Sequence, residues 1–254
     1  MKYTTTVAAI LATTLATSVH AQDRAALDIL LDYAADYESD PSLDAPQIFG
    51  VQVGDDWYTV NAAPGDVTVA SGPPADPAIY FVTNAETLNR IDRGEINALT
   101  GMAKAQSSDF APMDIEMMEG YQPGEDFLAG LLGTAFHFWT RGAPEIIPFG
   151  PGMTRVTHGT NTGIFYYQPG FRSGFFHMEA GHHVNEPASE QINPFPSMVI
   201  MTDGWAYGRI NGVELRIEAG NAYFIPAGHA HEFWLPEDAV HTANGLLFMF
   251  GDGA

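Results

Sequence analysis

From Glu145 to Ala254 the chain is a succession of short apolar runs punctuated by Gly, Pro and Asn, and no stretch of it carries helical periodicity. The runs are Ile164 to Tyr167, Gly174 to Glu179, Met198 to Met201, Trp205 to Ile210, Val213 to Ile217, Ala222 to Ile225 and Leu246 to Phe250. Asn211-Gly212 separates two of them, and this dipeptide is the residue pair that a two-residue hairpin turn with φ > 0 at both positions selects. So many short strands in one segment cannot bury their apolar faces as a single flat sheet. They predict a two-sheet sandwich or jelly roll.

The preceding residues alternate helix and strand signals. Ala26, Leu27, Ile29, Leu30, Leu31, Tyr33 and Ala34 form an apolar stripe, which predicts a helix over residues 24–38 ending before Asp40-Pro41. Residues 48–53, 57–60 and 67–69 read as strands of an antiparallel meander, separated by Gly-Asp-Asp and Pro-Gly-Asp turns, and residues 78–82 as a further strand. Thr83-Asn84-Ala85-Glu86 is a capping pattern that opens a helix through Asp92, Gly94 stops it, and residues 95–105 predict another. Residues 119–124 read as a linker. Residues 125–140 read as a helix whose Phe127, Leu128, Leu131, Leu132, Ala135, Phe136 and Trp139 fall at helical spacing. Such a stripe is a docking helix between domains or, on the sharper reading, a lid over a lipid cavity.

The chain of 254 residues has 31 Asp+Glu against 10 Lys+Arg and a formal net charge of −21, so it lacks the cationic footprint that nucleic acid or an anionic membrane requires. It has no cysteine, which removes disulfides, thiolate metal sites and cysteine nucleophiles together. Lys2, the weakly polar run Thr4 to Val19 and the small-residue end Val19-His20-Ala21 have the layout of a signal peptide, predicting export and a periplasmic or secreted location. No later run is long and apolar enough to span a bilayer. A Gly-x-Ser-x-Gly elbow, a phosphate loop and a dinucleotide fingerprint are all absent from the sequence.

Two resemblances follow. Residues 24–118, with Asn84-Ala85-Glu86-Thr87-Leu88-Asn89-Arg90-Ile91-Asp92-Arg93-Gly94 at their centre, resemble the sterol-carrier-protein type of lipid-transfer domain, which implies an α/β sandwich around an apolar tunnel. Gly220-Asn221-Ala222-Tyr223-Phe224-Ile225-Pro226-Ala227-Gly228-His229-Ala230-His231 is similar to the second motif of the cupins. The expected fold class is therefore α+β, with a signal peptide over 1–21, a sterol-carrier-like α/β domain over 22–118, a linker and helix over 119–144, and a cupin jelly-roll barrel over 145–254.

The histidines His158, His177, His182, His183, His229, His231 and His241 gather in the cupin-like half. Set on the first cupin motif, Gly181-His182-His183-Val184-Asn185 and Glu190 place His183 and Asn185 where that family carries two histidines. The resemblance then implies His183, Glu190 and His231 as ligands of Fe, Mn or Zn, with Asn185 as a weak fourth through its amide oxygen. His182 competes with His183, because adjacent strand residues face opposite ways, and Glu186 competes with Glu190. Asn185 at a ligand position also fits a barrel that has lost its metal and kept its cavity. Arg172 is the candidate clamp for a substrate carboxylate. The functional classes are thus a metal-dependent enzyme acting on a small or apolar organic molecule, a non-catalytic carrier of a lipid or small ligand, and a homodimer through the cupin-like half that serves assembly alone.

Overall fold

The computed structural model describes residues 23–104, 109–124, 127–140 and 146–254, with Ala129 in backbone only. The expected signal peptide, the end of the predicted 95–105 helix and the first residues of the predicted 125–140 helix lie outside these.

The first half is a five-stranded sheet, ordered β3-β2-β1-β4-β5, packed against helices. Helix α1 (Ala26–Tyr37) turns Ile29, Leu30, Tyr33, Ala34 and Tyr37 inward, an i, i+1, i+4, i+5, i+8 stripe. Strands β1 (Gln47–Val53), β2 (Asp56–Ala63) and β3 (Asp66–Ser71) form the expected meander. Strand β4 (Ile79–Thr83) then returns parallel to β1. Helix α2 (Ala85–Asp92) starts where the Asn84 side chain accepts the Thr87 N–H at 2.8 Å. It ends at Gly94, whose φ of 68° lets the Gly94 and Glu95 N–H groups reach the Ile91 and Arg90 carbonyls.

Helix α3 is shorter than predicted, Ala98–Met102, because Asn97 caps it by accepting the Thr100 N–H at 2.7 Å. A cap residue in extended conformation cannot also be helical interior. Strand β5 (Asp114–Met117) closes the sheet edge beside β4. Helix α4 (Phe127–Gly133) runs into a π-helical turn over Thr134–Phe138, which swings Phe138 and Trp139 into the same interior as Tyr33, Tyr37, Phe49 and Phe81. Their rings meet edge to face at 5.0–5.8 Å, as in Phe49 with Phe138 and Tyr37 with Phe138. The segment 127–139 is thus wedged into the first core and is more than a connector.

The second half is two facing sheets. One has the order β13-β10-β15-β8-β7-β6 and the other β12-β11-β14-β9. Their strands are β6 (Arg155–Thr157), β7 (Thr160–Gln168), β8 (Phe171–Met178), β9 (His183–Val184), β10 (Ser197–Asp203), β11 (Trp205–Ile210), β12 (Val213–Glu218), β13 (Ala222–Ile225), β14 (His231–Trp234) and β15 (Ala243–Phe250). The predicted hairpin at Asn211-Gly212 is present, with φ of 49° and 80°. Only single 3-10 turns at Pro151–Met153 and Ala188–Glu190 interrupt the strands, as the sequence pattern requires.

Candidate functional site

The two sheets of the barrel enclose a cavity of about 360 Å³. Its walls are largely apolar, including Phe176, Phe233, Val199 and Leu247, and its polar lining residues include His158, Asn185, Glu190, His231, Arg172 and Ser197. Strand parity explains the walls. Arg172, Gly174, Phe176 and Met178 of β8 pair with Met249, Leu247, Gly245 and Ala243 of β15, and these alternate positions face inward. Gly245 is required there, because a Cβ on it would stand 2.4 Å from the Phe176 ring and 2.5 Å from the Ile200 carbonyl oxygen.

His231 opens β14 and lines the cavity, 5% exposed. Its Nδ1 lies 3.0 Å from the His229 carbonyl oxygen, so Nδ1–H donates and Nε2 keeps its lone pair. Burial pulls the His231 imidazole below its ordinary range; the backbone bond to His229 opposes this, and the nearby His158 adds to it. Asn185 is 7% exposed and donates through Nδ2 to the His231 carbonyl at 3.1 Å. That bond orients the amide, so its Oδ1 faces His158 Nε2 and accepts from it. His158 Nδ1 in turn stands 3.4 Å from Glu190 Oε2.

The sequence counts His158 among the clustered histidines but assigns it no role. This residue sits in the two-residue turn between β6 and β7, with φ of 54° at His158 and 81° at Gly159. The signal was a Gly-containing dipeptide between two Thr-rich strands, the same logic as Asn211-Gly212. Gly159 is fixed twice over, since a Cβ there would stand 1.9 Å from the His183 carbonyl oxygen. The turn is thereby pressed onto β9, which delivers the His158 ring to Asn185 and Glu190.

The structure separates His183 from the others. In β9, His183 pairs with Trp234 and Val184 with Phe233, so Val184 shares the inner face with Phe233 while His183 stands outside. There His183 Nε2 meets Glu232 Oε2 at 2.9 Å, and Arg209 pairs with the other oxygen of the same carboxylate. Asn185 does face inward, because its φ of 59° ends the strand and breaks the alternation that would have put it beside His183. His182 faces neither group and accepts the Glu179 N–H through Nδ1 at 3.0 Å. Glu186 stays on the His183 side, 3.8 Å from its Nδ1. Arg172 lines the cavity, its guanidinium 4.7 Å from the centre of the Tyr167 ring.

Cupin-like barrels raise the question of a metal, and the donor chemistry answers it for this arrangement. His158 spends its Nε2–H on Asn185 and turns its Nδ1 to the Glu190 carboxylate, 3.4 Å away, and His183 is on the other face. That leaves His231 Nε2 and the Glu190 carboxylate from the expected set, and among the described residues no three His, Asp or Glu side chains are placed to hold one ion. The residues as arranged do not fit Fe, Mn or Zn.

Neither a protein-family model nor a curated protein sequence matches the chain. Solved structures with a similar chain path include a cupin 2 conserved barrel domain protein from Salinispora arenicola, at 17% identity over 43% of this chain and 91% of that one, TM-score 0.37. The Cnp3 cupin domain of Schizosaccharomyces pombe is similar at 12% identity over 42% and 76%, TM-score 0.35. An RmlC-like cupin from Shewanella frigidimarina is similar at 12% identity over 38% and 80%, TM-score 0.33. A likeness of this size has no bearing on activity or ligand.

Proposed function

We propose that this chain is an exported cupin-like protein that binds a small, largely apolar organic molecule inside its barrel. The observation that carries the reading is the cavity itself: about 360 Å³ walled by Phe, Leu, Val and Met side chains, with a few polar groups among them, His158, Asn185, Glu190, His231 and Arg172 included. Sites for small organic ligands have this composition, apolar area supplying affinity and sparse polar groups supplying orientation. His158, Asn185, Glu190 and His231 are linked to one another, so these four are held in one geometry before a ligand arrives.

Of the classes the sequence left open, the non-catalytic binder has the better support, because the metal-dependent enzyme needs His183 where Val184 is. The test is native mass spectrometry of protein purified from its own host, combined with displacement of the neutral dye Nile red by small alcohols and amides. A copurifying small molecule, or dye binding that such ligands reverse, is the expected result. Absence of both, or stoichiometric Fe, Mn or Zn that disappears in His231→Ala, would overturn the reading.

A further inference from the structure

Among the described residues of this acid-rich chain, one arginine makes no polar contact through its guanidinium. Arg24 pairs with Asp32 and Asp92, Arg90 with Glu95, Arg93 with Asp23 and Glu95, Arg209 with Glu214 and Glu232, and Arg216 with Glu218. Arg155 donates to the backbone carbonyls of Thr100, Ala103 and Phe110. Arg172, by contrast, lines the barrel cavity with its Nε buried and without a hydrogen-bond partner. Acids outnumber bases 31 to 10, so the missing acid is not a matter of supply.

The contacts that Arg172 does make are with ring faces, 4.7 Å from the Tyr167 centre and 5.6 Å from that of Phe195. Stacking uses the flat face of a guanidinium and leaves its in-plane N–H groups unspent. Across the sheet Arg172 pairs with Met249 and Met249 with Ser197, placing Ser197 in the same inward row. The Ser197 hydroxyl is also buried without a partner and lines the same cavity. A buried donor left unpaired costs stability, which is the position of the Arg172 Nε–H and the Ser197 hydroxyl. The one carboxylate among the described lining residues, Glu190, faces His158 instead.

We propose that the ligand of this cavity is a monocarboxylic acid with an aliphatic or aromatic body, its carboxylate received by the in-plane N–H groups of Arg172 and by the Ser197 hydroxyl. The proposal rests on the reading of the barrel as a small-molecule site and adds the class of molecule. A carboxylate matches the planar guanidinium fork bidentately, whereas an alcohol or amide does not. The apolar body then lies along Phe176, Val199 and Leu247, where an ionised group would be desolvated without compensation.

The test is calorimetric titration of the full chain with octanoate and 3-phenylpropanoate, each against its primary amide. The expected result is a preference for the acid of about tenfold or more, the scale of a charge-assisted hydrogen bond. Arg172→Gln is expected to abolish that preference and leave the amide affinity within about threefold, and Arg172→Lys to keep part of it, since lysine supplies charge without the fork. Equal affinity for acid and amide in the unaltered protein would overturn the carboxylate proposal and leave the binding cavity standing. Failure of every acid and amide to bind would overturn both. Should Arg172→Gln not fold, the acid-to-amide ratio of the unaltered protein still decides.

Discussion

The two halves of this protein solve the same packing problem in opposite ways. Each sets strands against a second layer, yet the first half fills the space between with Tyr33, Tyr37, Phe49, Phe81 and Phe138 and keeps its free space, about 360 Å³, in a cleft beside α4, whereas the second keeps about 360 Å³ between its own two sheets. Rings packed edge to face make a rigid interior. The barrel does without that filling because its stability lies in its walls: paired strands around a second cluster that includes Met178, Val199, Met201, Ile217 and Leu235. The lesson is that apolar content alone does not say where a ligand goes. The sterol-carrier resemblance implies a tunnel in the first half; the space the structure shows there is the cleft lined by Ile48, Phe49, Ile79, Phe127 and Leu131.

The largest expected effect tests the contrast directly. Phe138→Ala removes a fully buried ring from the filled half and is expected to cost about 3–5 kcal/mol, measured by urea unfolding. Leu247→Phe adds volume to the hollow half and is expected to change stability by less than about 1 kcal/mol while removing ligand binding. If Leu247→Phe costs as much as Phe138→Ala, the barrel interior is packed and the comparison fails.

A middle-sized effect separates the two type I′ hairpins of the barrel. Gly159→Ala collides with the His183 backbone and is expected to cost about 3 kcal/mol or more and to displace His158 from Glu190. Gly212→Ala meets nothing within 4 Å and carries only the backbone penalty of its positive φ, about 1 kcal/mol. Equal losses in thermal unfolding would mean that the β6–β7 turn is not pinned to β9.

The smallest effect concerns protons. Burial holds the folded His231 imidazole below its ordinary range. As pH falls through the unfolded imidazole value of about 6.5, the unfolded chain takes up a proton that the folded chain refuses, so stability declines on acidification. His231→Gln is expected to flatten that limb by about 1 kcal/mol or less, read from urea midpoints at neutral pH and near pH 5.5. Parallel losses in both proteins would assign the effect to other groups.

Much of the fold is legible in the sequence, because local chemistry decides it. Asn84 and Gly94 bound α2, and Asn211-Gly212 makes its hairpin, since each needs only its own neighbours. The site is legible only in part. His183 and Asn185 share strand parity on paper, but parity holds only while the backbone stays extended, and Asn185 turns left-handed. Nothing in the local residues announces that turn. His158 lies far from Glu190 in sequence and reaches it only because Gly159 allows two backbones to touch. Strands β9 and β14 are short and flank loops, so their pairing is set by tertiary closure and not by alternation.

The junction between the halves has a further consequence, for solubility. Strand β6 covers only the start of β7, up to Thr162, so beyond it β7 runs along the margin of its sheet. There the Ile164 N–H is accepted by Thr100 Oγ1 at 2.9 Å and its carbonyl receives Asn97 Nδ2 at 2.7 Å, while Phe136 lies over Tyr166 and Tyr167. Two polar side chains at the N-terminus of α3 thus occupy the backbone groups that a neighbouring molecule's strand would otherwise pair with. Bare strand margins are templates for intermolecular pairing, and natural sheets cover or blunt them. A barrel severed from its helical half would carry that template into solution, so the first half works as a built-in guard against self-association of the second.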